Sequence, residues 1–253
     1  MKKPIVVKIG GSTFGSNDTT LDDLVTLQND GQAVVVVHGG GNLITRWLSK
    51  LGVPTRLEDG LRVTDEATIE VVAAILCGLV NKDLVAAIEA RGGRAIGLSG
   101  VDGRLLEAKV KDEKLGFVGE VVRVNTELID MLLREGWMPV IAPLGIGPEG
   151  QTLNINADTA AGEIAAILTA TRLVLLTDVA GVMDRSGKRL ARIAAGQVAT
   201  LISSGVIIGG MIPKVEACLH AISNVAFAQI VDGREPHALL DAVSGKTSGT
   251  VIA

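Results

Sequence analysis

The sequence predicts an α/β fold in which a mainly parallel, open sheet is sandwiched between helices. Three observations predict it. Short aliphatic runs alternate along the chain with longer stretches that repeat apolar residues at helical spacing. Hydrophobic residues make up 47 % of the 253 residues, yet aromatic residues make up only 2 %, and aliphatic strands buried on both faces are typical of parallel sheets. Glycine clusters follow several of these runs, where a buried strand should emerge.

The elements can be placed in chain order. Aliphatic runs bounded by turn residues predict six strands, at residues 4–9, 33–38, 94–98, 138–142, 172–177 and 225–231. Apolar residues at helical spacing predict seven helices, at residues 20–30, 42–51, 65–90, 125–135, 158–169, 196–204 and 213–223. Residues 105–123 instead indicate a hairpin at the rim of the sheet, because two short alternating segments flank a polar turn. A second hairpin is predicted around residues 147–150.

No linker rich in proline, glycine or serine divides the chain, so residues 1–253 are predicted to form a single domain. Within that domain we expect a functional division. Residues 1 to about 170 would bind the substrate that accepts a chemical group, and residues from about 171 to 253 would bind the other substrate.

The composition excludes several classes of function. A formal net charge of −4 and the scarcity of aromatic residues argue against a nucleic-acid partner, which requires basic patches and stacking rings. The N-terminal apolar run is too short for a secretion signal, and no stretch is predicted to span a membrane. Cys77 and Cys218 show neither a disulfide framework nor metal-ligand spacing. We therefore expect a cytoplasmic protein with reduced thiols and no metal ion held by side chains.

Two lysines lie beside glycines in settings typical of phosphate chemistry. Lys8 ends the first strand and precedes Gly10 and Gly11, and Lys214 follows the glycine pair at residues 209–210. Ligands of open α/β sheets bind outside the carboxyl ends of the strands. A lysine in an apolar strand is costly unless an anion partners it. Lys8 could instead extend its ammonium group to solvent at a sheet edge, but the glycines behind it favour phosphate.

A third glycine cluster, residues 39–41, follows a predicted strand and opens a helix. Its free N–H groups at the positive end of a helix could bind an anion, or the cluster could simply be a tight turn. His38 is interpreted as a satisfied, partly buried histidine. Arg62 precedes the long helix and carries the planar fork that binds carboxylates, although solvation at the surface is the more ordinary role of an arginine.

Polar residues also mark two later segments. Asn154 and Asn156 alternate with apolar residues and should share one face of an extended segment. Asp158 stands where a helix cap is expected, and capping is a serious alternative to a functional role. The functional interpretation makes Asp158 an acceptor that holds two lysine ammonium groups. The strand at 172–177 ends in a polar pair and a glycine turn, an arrangement that suits a nucleotide.

Two formal motif matches are rejected. Residues 145–150 fit the glycine pattern of dinucleotide-binding proteins, but no helix is predicted to open at the last glycine. A nicotinamide-dependent oxidoreductase is therefore only a remote alternative. Residues 245–247 end like the phosphate-binding loop of many kinases, but Leu240 stands where that loop requires glycine. A kinase built on this chain belongs to a different architecture.

Taken together, the motifs resemble the amino acid kinase family, and within it the members that phosphorylate N-acetylglutamate. The resemblance spans essentially the whole chain. Each motif is weak alone, but their joint order is highly specific. It rests on residues 7–11, 38–41, 60–64, 81–82, 97–100, 115–121, 154–158, 177–182 and 210–214.

The resemblance implies that ATP phosphorylates the side-chain carboxylate of N-acetyl-L-glutamate, in arginine biosynthesis. Lys8 and Lys214 would be the two cations of the transition state. Asp158 would hold both ammonium groups, and Gly11 would donate an N–H group to the moving phosphoryl group. A non-catalytic amino-acid sensor of this family would be expected to lack one of the two lysines, and both are present.

The resemblance also implies the two binding sites. Gly40 and Gly41 would donate N–H groups to the acceptor, and Arg62 would bind its α-carboxylate with help from Asn154. Mg²⁺ would be held mainly by the ATP phosphates. The implied nucleotide site consists of Gly10, Thr177, Asp178, Val179, Ala180, Gly181, Val182, Met183, Val206, Ile207, Ile208, Gly209 and Met211.

One related activity stays open. Kinases that act on carrier-protein-linked aminoadipate or glutamate, in lysine or arginine biosynthesis, share the features at residues 77–82 and 97–103. Residues 60–64 and 115–121 favour free acetylglutamate. The expected partners are small-molecule substrates and a second copy of the chain, and a PII-type regulator is compatible with the family but not indicated.

The helix at residues 65–90 is predicted to form a homodimer. Its apolar stripe would pack against a twofold mate. Arginine-inhibited members of the family carry an additional N-terminal helix, and here the first strand begins almost at once. We therefore expect a homodimer that arginine does not inhibit. The stripe consists of Ile69, Val72, Leu76 and Leu79.

Overall fold

The computed structural model describes residues 2–10, 19–58, 60–246 and 249–253. Gly11, for which a catalytic role is expected, lies outside these residues. The strands are β1 (Ile5–Ile9), β2 (Val34–His38), β3 (Leu57–Glu58), β4 (Leu61–Arg62), β5 (Ala95–Ser99), β6 (Leu106–Val110), β7 (Gly119–Val124), β8 (Met138–Ala142), β9 (Leu144–Ile146), β10 (Thr152–Asn154), β11 (Arg172–Thr177), β12 (Arg192–Ile193), β13 (Phe227–Asp232) and β14 (Thr250–Ile252).

Helices follow most of the strands. They are α1 (Thr20–Asn29), α2 (Gly41–Lys50), α3 (Glu66–Ala73), α4 (Asn81–Glu89), α5 (Glu127–Arg134), α6 (Ala157–Ile167), α7 (Val198–Ser203), α8 (Met211–Ala221) and α9 (Ala238–Ser244). A π-helical segment, Ala74–Val80, joins α3 to α4 without a break. The predicted α/β class is confirmed.

The main sheet has eight strands in the order β12-β14-β13-β11-β1-β2-β8-β5. Its pairs are parallel except β13 with β14, which is antiparallel. A second sheet, β10-β9-β6-β7, and the pair β3-β4 lie apart from it. Both predicted hairpins are present, as β6-β7 and β9-β10. Residues 145–150 lie in the second of these hairpins, so no helix opens there.

Strand β1 distributes its side chains to two different cores. Ile5, Val7 and Ile9 pack into the core that contains α1, α4 and α9. Val6 packs into the opposite core, which contains α6 and α8. Alternate residues of a strand point to opposite faces, so Lys8 shares the face of Val6. The periodicity of one strand therefore directs Lys8 toward the two helices that carry Asp158 and Lys214.

The helix from Glu66 to Glu89 is long and apolar enough to cross a membrane by length and composition alone. Packing within the chain explains this apolar character, because Val72 and Leu76 are fully buried against α2. These two residues were predicted to face a twofold mate, and that part of the prediction is wrong. A helical repeat of apolar residues does not reveal whether the face packs within the chain or outside it.

Candidate active site

Three charged groups from distant parts of the sequence meet at the carboxyl end of β1. Lys8 Nζ lies 2.9 Å from Oδ1 of Asp158. Lys214 Nζ donates to Oδ2 of the same carboxylate at 2.8 Å. The contact of Lys8 is an ion pair with the buried Oδ1 atom, for which no other partner is present among the described residues. One carboxylate thus holds two ammonium groups side by side.

Burial sets the electrostatics of this cluster. Lys8 is 6 % exposed and Asp158 is 4 % exposed. Burial lowers the pKa of Lys8 below its ordinary value of 10.5, and Asp158 offsets only part of that effect. For Asp158, burial opposes ionisation, but the Lys8 and Lys214 charges outweigh it and lower the pKa. The cluster carries one net positive charge at neutral pH when both lysines are protonated, so it is suited to receive an anion.

Asp158 does not cap its helix. Asn156 is the cap of α6, and its Oδ1 accepts hydrogen bonds from the backbone N–H groups of Asp158 at 2.9 Å and Thr159 at 3.1 Å. The capping alternative for Asp158 is therefore wrong, and its carboxylate is left for the lysines. The edge alternative for Lys8 is wrong too, because β1 lies between β11 and β2 in the middle of the sheet.

A cleft of about 380 Å³ opens beside Lys8 and Asp158. The glycine loop, residues 39–41, forms one wall and leads into α2. No side chain caps α2 and its first turn carries no acidic residue, so the N–H groups at its start can bind an anion. Gly40 cannot be replaced without movement here, because a Cβ atom would lie 2.7 Å from the Leu76 side chain.

Arg62 forms part of the same cleft and is held in place by α2. Its Nη2 donates to Thr45 Oγ1 at 2.7 Å and to the Gly41 carbonyl at 3.1 Å. Half-burial lowers the pKa of this guanidinium below its usual value, and an arginine stays charged regardless. No acidic residue appears among its hydrogen-bonding partners in the described part of the chain. The guanidinium therefore remains available to a carboxylate.

Asn154 reaches the cleft from β10, opposite α2. Its Nδ2 donates to Thr64 Oγ1 at 3.2 Å, and Thr64 Oγ1 donates to the Arg62 carbonyl at 2.7 Å. The fully buried Thr64 thus links Asn154 to the segment that carries Arg62. Asn156 lines the cleft as well, and so does the intervening Ile155.

A second, smaller cavity of about 160 Å³ continues from the first on the other side of Lys8. Both cavities are lined by Lys8, Gly41 and Asn42. The second cavity is also lined by Gly10, Thr177, Asp178 and Lys214. Lys8 therefore lies where the two cavities meet, and Lys214 lies on the side of the second cavity, so both ammonium groups could contact a group that passes from one cavity to the other.

The remaining residues expected to bind a nucleotide lie beyond Thr177 and Asp178, along the turn after β11 and before α8. Val182 and Ile207 bury their side chains in the core, so only their backbone groups could face a ligand. Val179, Met183 and Ile208 are exposed. Five others line neither of the two cavities within the described residues: Ala180, Gly181, Val206, Gly209 and Met211.

Several residues of the site were not predicted from the sequence. Thr45 and Thr55 hold Arg62, Thr64 holds Asn154, and Asn42 lines both cavities. Thr45 follows Gly41 by one helical turn, so its position on the N-terminal turn of α2 was a usable signal. Nothing local in the sequence distinguishes Thr64.

The arrangement suits charge neutralisation rather than proton abstraction. The only carboxylates lining the two cavities, within the described residues, are Asp158 and Asp178, and no histidine lines either one. Asp158 is engaged by both lysines. No group of three or more His, Cys, Asp or Glu side chains in the described ranges is placed to hold a metal ion. Two cations and free backbone N–H groups can stabilise a transferring phosphoryl group.

Comparisons with known proteins point the same way. The model of the amino acid kinase family matches residues 3–231. The chain is similar to an acetylglutamate kinase of Dehalococcoides mccartyi, 46 % identical over 98 % of this chain and 93 % of that protein. It is 47 % identical to an acetylglutamate kinase of Dinoroseobacter shibae, over 98 % and 88 % of the two chains. The solved structure of smu.665 from Streptococcus mutans UA159 superposes with a TM-score of 0.87 at 32 % identity, covering 100 % of this chain and 99 % of that one.

Proposed function

The chain belongs to the amino acid kinase family, and we infer that it is an enzyme that transfers the γ-phosphoryl group of ATP to the side-chain carboxylate of N-acetyl-L-glutamate. The product is an acyl phosphate, and the reaction belongs to arginine biosynthesis. Curated relatives at 44–47 % identity over nearly the whole chain support this activity. The observation that carries it is the pair of ammonium groups on one buried carboxylate: Lys8 lines both cavities and Lys214 lines the smaller one.

The chemistry needs no general base. The acceptor carboxylate is already ionised at neutral pH, so its oxygen attacks the γ-phosphorus directly and the bond from that phosphorus to the ADP oxygen breaks. Negative charge shifts onto the leaving oxygen, and no proton has to move. We propose that Lys8 and Lys214 stabilise this charge and that Asp158 fixes the spacing of the two lysines. Gly40, Gly41 and Gly11 would add backbone N–H groups.

Recognition of the acceptor is proposed for the larger cavity. Arg62 would bind the α-carboxylate through its positively charged guanidinium, and Asn154 would add a hydrogen bond. The support for these roles is the fixed position of both side chains: Arg62 is held by Thr45, and Asn154 by Thr64. The lining of the larger cavity is partly apolar and includes Leu57 and Leu61.

The nucleotide is proposed to occupy the smaller cavity and the surface beyond it. Thr177 and Asp178 support this, because Thr177 ends β11 and Asp178 follows it, and both line the smaller cavity together with Lys214. Residues from about 171 onward would then form the nucleotide lobe, and residues up to about 170 the acceptor lobe. Mg²⁺ would be held mainly by the ATP phosphates, which supply the oxygen ligands that this ion prefers.

We propose a homodimer in the cytoplasm, formed through the exposed side of the Glu66–Glu89 helix. With Val72 and Leu76 buried in the chain itself, the contact face shifts to small or partly exposed residues on the other side. They are Ala67, Val71, Ala74, Gly78 and Leu79. The first four recur three or four residues apart, the fifth directly follows the fourth, and together they leave an apolar surface uncovered.

A panel of acceptors tests the proposed activity. ADP release, coupled to oxidation of NADH, is measured with N-acetylglutamate, glutamate, aspartate and aminoadipate. We expect kcat/KM for N-acetylglutamate to exceed that of the other three by on the order of 10²-fold or more, since all three lack the acetyl group and aspartate and aminoadipate also differ in chain length. Carrier-linked aminoadipate and carrier-linked glutamate complete the panel, and turnover of these two alone would identify the related activity instead.

A further inference from the structure

A buried polar network lies against the glycine loop and has no part in the mechanism above. His38 ends β2, Asn81 begins α4, and both side chains belong to residues that are 1 % exposed. Asn81 Nδ2 lies 3.1 Å from His38 Nε2. The other ring nitrogen, Nδ1, lies 3.1 Å from the carbonyl oxygen of Gly39. The network therefore connects the long helix to the first residue of the glycine loop.

The orientation of the Asn81 amide is fixed by its other contacts. Nδ2 lies 2.8 Å from the Val140 carbonyl and 3.3 Å from the Leu98 carbonyl, and both of these groups can only accept. Oδ1 accepts from Lys82 Nζ at 3.0 Å, and an ammonium group can only donate. A Cβ atom on Gly97 would overlap Oδ1, so this glycine provides the space that the amide occupies.

The amide orientation determines the protonation of His38. Because Asn81 Nδ2 can only donate, the ring nitrogen that it faces, Nε2, carries the lone pair, and the proton of the neutral ring is on Nδ1. Burial lowers the pKa of His38 to about 4, and the charge of Lys82 contributes in the same direction, while the Gly39 carbonyl opposes it. The ring is consequently neutral at physiological pH, and Nδ1–H donates to the Gly39 carbonyl.

This hydrogen bond sets the direction of the next N–H group. The described peptide bonds include no cis bond, and in a trans peptide the C=O and N–H bonds point in opposite directions. A Gly39 carbonyl held toward His38 therefore turns the Gly40 N–H away from it. Gly40 lines the larger cavity beside Lys8. Among the described residues, no hydrogen bond engages the Gly40 N–H.

We propose that His38 and Asn81 are positioning residues that aim the Gly40 N–H at the reacting groups by holding the Gly39–Gly40 peptide in one orientation. The inference rests on the proposed function, because the target of this N–H is the phosphoryl group or the acceptor oxygen. A preorganised donor of this kind favours the transition state and leaves substrate binding largely unaffected.

The tautomer can be measured without any activity. Two-dimensional ¹⁵N–¹H NMR of the histidine ring nitrogens distinguishes Nδ1–H from Nε2–H. We expect His38 in the Nδ1–H form, unchanged from about pH 6 to about pH 8, well above its lowered pKa. In Asn81→Ala both tautomers should appear. An Nε2–H ring in the wild-type protein, or protonation of His38 near neutral pH, would overturn the proposal whether or not the enzyme is an acetylglutamate kinase.

Two substitutions at His38 then test the consequence for the rate. The amide nitrogen of asparagine occupies the place of Nδ1, whereas that of glutamine occupies the place of Nε2. His38→Gln should lower kcat by at least on the order of ten-fold, less than loss of a whole donor, with both KM values little changed. His38→Asn should recover most of that loss. Wild-type turnover of N-acetylglutamate checks the proposed function separately.

The control is His220→Gln, the same substitution at an exposed histidine that contacts Glu163 on the outer surface. It should leave kcat unchanged. Thermal unfolding of all three variants separates positioning from support of the fold. Equal losses of kcat in His38→Asn and His38→Gln that follow the loss of thermal stability would show a purely structural role. Full activity in both variants would also contradict the proposal.

Discussion

Asp158→Asn is the substitution whose effect follows most directly from the structure, because it removes the one negative charge that two lysines share. The ion pairs measure 2.9 and 2.8 Å. At an effective dielectric constant of about 20, each attraction is roughly 6 kcal/mol before the cost of desolvation. Removing one partner of a buried pair costs about 3–5 kcal/mol in practice. We expect Asp158→Asn to lower the free energy of unfolding by that amount at neutral pH.

The corresponding change in Tm follows from the size of the chain. Unfolding entropy near the midpoint is about 2.1 cal/mol/K per residue, which for 253 residues gives about 0.5 kcal/mol/K. A loss of about 3–5 kcal/mol therefore lowers Tm by about 6–9 °C. Calorimetry or circular dichroism measures this difference readily.

The difference in Tm between Asp158→Asn and the wild type should depend on pH. In the folded wild type the pKa of Lys8 already lies below 10.5 and that of Asp158 below 3.8. The lowered Asp158 pKa contributes stability above pH 3.8, and this stability is lost as pH falls through the pKa of Asp158 in the folded protein. The lowered Lys8 pKa costs stability at neutral pH, and this cost vanishes as pH rises toward 10.5. The substitution increases the cost of burying a charged Lys8. The Tm difference from the wild type is therefore largest near neutral pH and shrinks toward acidic and toward alkaline pH.

Asp241→Asn is the matched control. Asp241 forms an ion pair with Lys246 at 2.7 Å, but the side chains are 36 % and 72 % exposed, and such surface pairs contribute about 0–1 kcal/mol. Its Tm should fall by no more than about 2 °C. A Tm of Asp158→Asn equal to that of the wild type, or a deficit that is constant with pH, would refute the argument that a buried, shared charge holds the two lysines.

Three further predictions concern activity and assembly. Lys214→Ala should lower kcat by on the order of 10²-fold or more at saturating substrates, and near wild-type turnover would remove Lys214 from the mechanism. Arg62→Ala should raise KM for acetylglutamate far more than KM for ATP in steady-state kinetics, with only partial recovery in Arg62→Lys because lysine lacks the fork; an unchanged acetylglutamate KM would contradict the assignment. Light scattering after size exclusion should find a homodimer that Gly78→Arg converts to monomers. The control Ile167→Glu, at another exposed apolar site, should leave the dimer intact. A monomeric wild type would exclude the proposed contact.

The central strands could be predicted closely from the sequence. Parallel strands buried on both faces appear as uninterrupted aliphatic runs, so β1 and β11 were predicted to within one residue of their observed ends. The short peripheral elements lack such a signal. Strand β12 has two residues, β14 has three and α9 has seven. Their formation depends on tertiary contacts, such as the antiparallel addition of β14 to β13, which no local pattern encodes.

The site was accessible from the sequence only in part. Lys8 and Lys214 were selected from the glycines beside them, and Asp158 as a candidate acceptor for both, but residues so far apart carry no local sign of contact, and only the family resemblance favoured their meeting at one site. Asp158 was the one residue considered as the helix cap, and residue type alone could not correct this, because asparagine and aspartate both cap helices well. Their positions relative to the start of α6 determine which residue is the cap. The Asn156 side chain accepts hydrogen bonds from backbone N–H groups, and the Asp158 carboxylate contacts the lysines.

Oxygen transfer from the acceptor tests the central claim most directly. N-acetylglutamate labelled with ¹⁸O in its side-chain carboxylate is incubated with ATP and the enzyme, and the acyl phosphate is observed by ³¹P NMR. If the carboxylate attacks the γ-phosphorus, one ¹⁸O atom bridges carbon and phosphorus in the product, and its signal shows the corresponding isotope shift. Release of ADP with unlabelled inorganic phosphate, and no labelled acyl phosphate, would contradict the account.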